Sequence, residues 1–202
     1  MKPFFRLLVA ALSGLTAVPA LAADFSATIV DARGDPVPNA VLMIDPVGAA
    51  KPARIDFPWQ YQVAQNDFRF EPGVLIVPEG ATVAFPNLDR VRHHVYSFST
   101  PNDFELKLYG REDDRGQRFD HKGTVAMGCN IHDDMTGFVR VVDTPFAAKA
   151  DGDGKLLIAD LPTGAARVTI WHPWLNTKAN ELTFDVNLPT AAKRFTLRLK
   201  RP

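Results

Sequence analysis

Residues 124–142 read TVAMGCNIHDDMTGFVRVV. Two runs of strand-forming residues, Thr124 to Met127 and Phe138 to Val142, flank a segment that places Cys129, His132 and Met135 within seven residues. This arrangement predicts a strand, a tight ligand-bearing loop and a second strand. A thiolate, an imidazole and a thioether so close together suit copper, because the cuprous ion prefers sulfur and the cupric ion accepts imidazole nitrogen. A trigonal His2Cys set with a weak axial Met serves both states. One further histidine from elsewhere in the chain is required.

Outward from this loop, the 16 Pro and 13 Gly of the 202-residue chain separate short segments rich in Val, Ile, Phe and Thr. That punctuation predicts an all-β protein. Strands are expected at 25–30, 41–44, 62–64, 68–70, 74–77, 82–85, 95–99, 124–127 and 138–142, with a looser linker over 46–61. After Pro145, further strands are expected at 155–158 and 167–171. Leu182, Phe184, Val186 and Leu188 then alternate with polar residues, as do Phe195, Leu197 and Leu199, the period-two pattern of half-buried strands. Asp151-Gly152-Asp153-Gly154 reads as a β-turn, since an EF-hand loop would need a Glu where Asp160 stands and flanking helices.

The N-terminus predicts export. Lys2 and Arg6 precede an apolar run from Leu7 to Val18, and Ala20-Leu21-Ala22 offers small residues for cleavage near Ala22. The run is shorter than the roughly 20 residues a membrane span needs, and no later segment is apolar enough. Residues 1–22 are therefore expected to be a signal peptide, with the periplasm as destination in a Gram-negative cell. In such a compartment a lone cysteine calls for an explanation, and metal ligation supplies one. The 23 basic and 23 acidic residues cancel, which gives no sign of a nucleic-acid partner.

Two histidines, His93 and His94, follow Phe85-Pro86-Asn87, and neighbouring strand residues point to opposite faces. Here the chain resembles the cupredoxins, small blue copper proteins such as plastocyanin and amicyanin. The likeness rests on Phe68-Arg69-Phe70-Glu71-Pro72, Val77-Pro78-Glu79-Gly80 leading to Val83, Phe85-Pro86-Asn87, the His-x-Val element, and the closing Cys129, His132, Met135, Gly137 and Val139. It covers residues 62–143 and implies a Greek-key β-sandwich binding one mononuclear copper ion. By that resemblance the ligands are His93, Cys129, His132 and Met135, with His94 as the rival first ligand. Asn87 and Asn130 are candidates for orienting the loop or donating to the sulfur. The chain departs from the family in having Gly128 before the cysteine, which predicts a less covered sulfur, and in placing Asp133 and Asp134 beside the site.

A second resemblance joins the two ends. Residues 28–41 and 149–170, with Gly34-Asp35-Pro36-Val37-Pro38 and Leu161-Pro162-Thr163-Gly164, are similar to halves of a carboxypeptidase regulatory-like domain, a transthyretin-like β-sandwich. That implies a host domain of 23–61 and 144–202 with the copper module inserted, as in exported proteins of the methylamine utilisation or plastocyanin-like group. The expected function is one-electron carriage to a redox partner protein rather than catalysis, since no nucleophile triad or phosphate loop is present. Arg90 and Arg92 offer a cationic rim for such a partner. The alternatives are a copper carrier or sensor, and a non-redox binding module using Trp171, His172 and Trp174.

Overall fold

The computed structural model describes residues 22–200. The expected signal peptide lies outside them, apart from Ala22, which opens the first strand. The protein is all-β: its only helical element among the described residues is a single 3-10 turn at Lys178–Asn180. No helix there is long and apolar enough to cross a membrane.

The chain begins with β1 (Ala22–Asp31) and β2 (Val41–Pro46). Next come β3 (Ala64–Asn66), β4 (Arg69–Glu71), β5 (Val74–Pro78), β6 (Ala81–Ala84) and β7 (His93–Ser97). They are followed by β8 (Phe104–Tyr109), β9 (Gly116–Phe119), β10 (Gly123–Cys129) and β11 (His132–Val142). The chain closes with β12 (Ala147–Lys149), β13 (Lys155–Pro162), β14 (Gly164–Trp171), β15 (Glu181–Leu188) and β16 (Lys193–Leu197). Three of these, β8, β9 and β12, fall where the sequence pattern predicts none. Their burial shows why: β8 and β9 each bury only their last residue, so little apolar alternation marks them.

Both ends of the chain build one pair of sheets, in the orders β13-β1-β16 and β12-β2-β14-β15. Phe25, Ala27 and Ile29 of β1 face Leu42, Ile44, Ala166, Val168 and Ile170 across a common core. The middle of the chain forms a five-stranded sheet, β5-β11-β10-β7-β8, with the smaller pairs β6-β9 and β3-β4 packed against it. Its core joins Leu75, Val77, Phe85, Val95, Phe119, Val125 and Val139.

Strands β2 and β5 are each buried on both faces, and they help to explain the contact between these parts. In β2, Leu42 and Ile44 enter the first core, whereas Val41 and Met43 point the other way. In β5, Leu75 and Val77 enter the second core, whereas Val74 and Ile76 meet Val41, Met43 and Trp171 in a third cluster. Alternating side chains thus supply two cores from one strand, which is why 41–44 and 74–77 read as unbroken apolar runs. Arg140 of β11 adds a polar tie, donating to Glu181 Oε1 of β15 at 2.5 Å while its guanidinium lies over the Trp171 ring.

The Asp151–Gly154 turn is local backbone chemistry, as expected. Asp151 Oδ1 accepts from the amides of Asp153 and Lys155, and Gly154 holds φ +74°. A Cβ on Gly154 would lie 2.2 Å from the Ile29 carbonyl oxygen. Gly154→Ala is therefore expected to destabilise the protein by about 2 kcal/mol through strained φ and forced retreat of β1, read as a lower urea midpoint at unchanged slope.

Candidate metal centre

Strand pairing brings the sequence-distant residues together. Val95 of β7 stands opposite Cys129 at the end of β10, and Cys129 is in turn paired with His132 at the start of β11. Only Asn130 and Ile131 separate the last two strands, so the loop of the sequence reading is a tight hairpin tip. The Asn130 amide donates to the His94 carbonyl at 3.1 Å and ties that tip to β7.

His93 is fully buried, with Nδ1 3.7 Å from Cys129 Sγ, and His132 Nδ1 lies 3.5 Å from the same sulfur. The three donor atoms fall within 4.8 Å of one another. Bonds of about 2.0 Å to nitrogen and 2.3 Å to sulfur around one first-row ion in a trigonal plane set N and S about 3.7 Å apart, close to both nitrogen–sulfur separations here. Met135 is 1% exposed and packs in the core cluster that also holds Cys129. His94 points away, and its Nε2 pairs with Glu105 at 2.9 Å.

A group that the sequence reading missed fixes the inner histidine. His93 Nε2 lies 2.8 Å from Asp89 Oδ2, so Nε2 carries the proton donated to that carboxylate and Nδ1 presents its lone pair toward Cys129. Asp89 also accepts from the amides of Asp67 at 2.8 Å and Phe68 at 3.1 Å. Burial would raise its pKa, but the bonds from His93 and the two amides outweigh burial and hold the carboxyl below the ordinary value. Asn87 does not touch the sulfur. Its side chain accepts from the Asp89 amide and donates to the Val91 and Tyr109 carbonyls, shaping the loop that presents Asp89. A carboxylate four residues before the histidine was the available signal.

Phe68, expected to open a strand, is instead with Asp67 one of the two central residues of the β3-β4 turn, with φ of 51° for Asp67 and 58° for Phe68. Positive φ at both positions is the type I′ geometry that suits a tight hairpin, yet it is costly without glycine. The two bonds to Asp89 offset that cost. They also set Phe68 edge-on to His132 at 4.9 Å and to His93 at 6.1 Å between ring centroids. Asp89→Asn keeps the shape but removes the charge. Cupric affinity is expected to fall roughly ten- to a hundredfold, measured by chelator competition.

The sulfur is not the less covered atom that Gly128 predicted. Tyr96 stands opposite Gly128 on β7 and its ring fills the space a Cβ on Gly128 would take, on the face away from the Cys129 side chain; the sulfur is covered instead by the core it packs in, which includes Val95 and Met135. Cys129 is only 4% exposed. Asp133 and Asp134 face solvent, and Met127 is a core residue. Of the residues considered for a binding surface, Trp171 and His172 are buried and only Trp174 is exposed.

No family model and no characterised protein matches the sequence. Among solved structures, a purple cupredoxin from Nitrosopumilus maritimus is similar at 22% identity over 41% of this chain and all of its own, TM-score 0.37. A reduced Cu(I) form of an amicyanin variant aligns at 21% identity over 50% of this chain and 98% of its own, TM-score 0.39. The copper-containing nitrite reductase of Thermus scotoductus aligns at 28% identity over 48% of this chain, TM-score 0.39, and the chain spans a quarter of its length. These neighbours are cupredoxin proteins matched over about half of the chain.

Proposed function

We propose that this chain is an exported mononuclear copper protein that carries single electrons. Residues 62–143 form the copper-binding module, and 23–61 with 144–202 form a transthyretin-like host around it. His93, Cys129 and His132 are the strong ligands and Met135 the axial one. The observation that carries this reading is the buried triangle of two imidazole nitrogens and one sulfur, 3.5 and 3.7 Å apart at the sulfur, formed by side chains already oriented for it. Copper, when bound, supplies a one-electron couple whose two states both accept such a donor set.

The protein's own part is to keep that set still. Asp89 holds the tautomer and tilt of His93, the β10–β11 turn fixes Cys129 and His132 relative to each other, and Phe68 covers both imidazoles. Little rearrangement between oxidation states favours carriage over metal exchange, as does the burial of Cys129. Exposed Phe68, Leu88, Val91 and Ile131, all on loops that carry the site, support docking of an unidentified redox protein there.

Titrating the purified protein with cupric ion tests the proposal. One equivalent should produce an intense visible thiolate-to-copper band that a mild reductant bleaches and an oxidant restores. A colourless complex would sink the reading, and rapid surrender of cuprous ion to a weak chelator would replace electron carriage with metal delivery.

A further inference from the structure

A cleft of about 510 Å3 opens between the two parts of the molecule, away from the metal triangle. The edge of β5 at Val74, Leu75 and Ile76, with Ala148 of β12, forms its floor. Trp59, from the connection between β2 and β3, forms a wall. Its indole stacks parallel to Phe57, centroids 4.7 Å apart, and its Nε1 donates to the Ile76 carbonyl at 2.8 Å. The ring is thus locked in place while remaining 37% exposed. A large aromatic held at the rim of an apolar recess costs hydration that a flat ligand would recover.

The cleft also contains one cation without a counter-ion. Lys149 Nζ donates to the Val74 carbonyl at 2.8 Å, and no carboxylate forms an ion pair with it among the described residues. Its other two N–H donors have no protein partner in the described residues. Burial, with no charge to oppose it, pushes its pKa down. Glu71 is the one acid in the lining, and its Oε2 is engaged by Asn66 Nδ2 at 3.1 Å. The amides of Gln60 and Gln62 supply further neutral donors and acceptors.

We propose that this cleft binds a small aromatic monocarboxylate, its ring against Trp59 and the β5 floor and its carboxylate on Lys149. The volume lies in the range of small-ligand sites, roughly 300–1,000 Å3, and a single negative charge matches the single unpaired cation. A dicarboxylate would set its second charge near Glu71. The site depends on both parts of the molecule, since β5 supplies the floor while Trp59 and β12 supply the wall and the charge.

Phenylacetate, indole-3-acetate and benzyl alcohol, titrated calorimetrically into the full copper-loaded protein, test this. At least one of the two acids should bind saturably, and benzyl alcohol about tenfold or more weakly. Lys149→Met and Trp59→Leu should each weaken the acid by about tenfold while leaving the visible spectrum of the copper site unchanged. In the wild-type protein the amide shifts caused by the acid should cluster at residues 59–62, 73–76 and 148–149, a readout that needs no variant. No saturable binding by either acid up to about 10 mM, equal binding of the alcohol, or shifts centred elsewhere would overturn the proposal.

Discussion

Replacing Cys129 with serine is expected to abolish the visible band of the cupric protein and to weaken cupric binding on the order of a thousandfold or more. Serine nearly preserves the volume, and its hydroxyl can hydrogen bond to the two imidazoles that flank the sulfur, so the fold should survive. What disappears is the only soft anionic donor. A hydroxyl stays protonated at neutral pH and is a hard ligand, whereas a thiol is deprotonated outright by a coordinated metal. Because metal binds the folded state, copper should raise the unfolding midpoint of the wild-type protein and leave that of Cys129→Ser unmoved. Chelator competition and thermal melts with and without cupric ion measure both effects. A band that persists in the serine variant would remove Cys129 from the site.

Trp171→Ala should cost about 3–5 kcal/mol, the range for losing a large buried aromatic. Trp171 is fully buried between the sheets, edge-on to Phe138 with centroids 5.7 Å apart and under the Arg140 guanidinium. Its removal leaves a cavity and strips the ring from Arg140, whose Nε already has no hydrogen-bond partner. The indole N–H is likewise unpartnered, so Trp171→Phe, which deletes that donor and keeps most of the ring, should cost less than about 1.5 kcal/mol. In the wild-type protein, loss of the copper band and loss of β-structure on heating should coincide. In Trp171→Ala they should separate, because the cluster joining the two cores is broken.

The strongly patterned parts of this structure were legible in the sequence. Val41 to Ile44, Val74 to Val77 and the alternating Leu182 to Leu188 run all form strands, since burial on one or both faces leaves its mark on residue type. That Cys129 and His132 would come together beside a histidine from elsewhere was legible because soft donors are rare and their spacing is chemical. Asp89 and Phe68 were not. Asp89 matters only because a loop shaped by Asn87 turns its carboxylate toward His93, and Phe68 only because positive φ swings its ring over the imidazoles. Both effects depend on backbone direction, which residue identity does not carry. The burial of the Cys129 sulfur was hidden for a similar reason: Gly128 adjoins it in sequence, whereas the core that covers it is brought in by other strands.

The pairing of β12 with β2, Ala147 opposite Met43, closes a hairpin whose ends lie a hundred residues apart, Val47 to Phe146. An ordinary hairpin bridges such ends with two to five residues. For a flexible chain, loop-closure entropy grows only with the logarithm of length, and the difference here amounts to about 3 kcal/mol. A segment that has already folded, with β5 and β11 beside the returning strand, contributes far less disorder to be lost. Assembly should then run from the inside outward: the intervening residues collapse first, and the two chain ends zip around them last. The slowest contacts to form would be those between the first and last strands, a sequence of events that pulse-labelling hydrogen exchange would order directly.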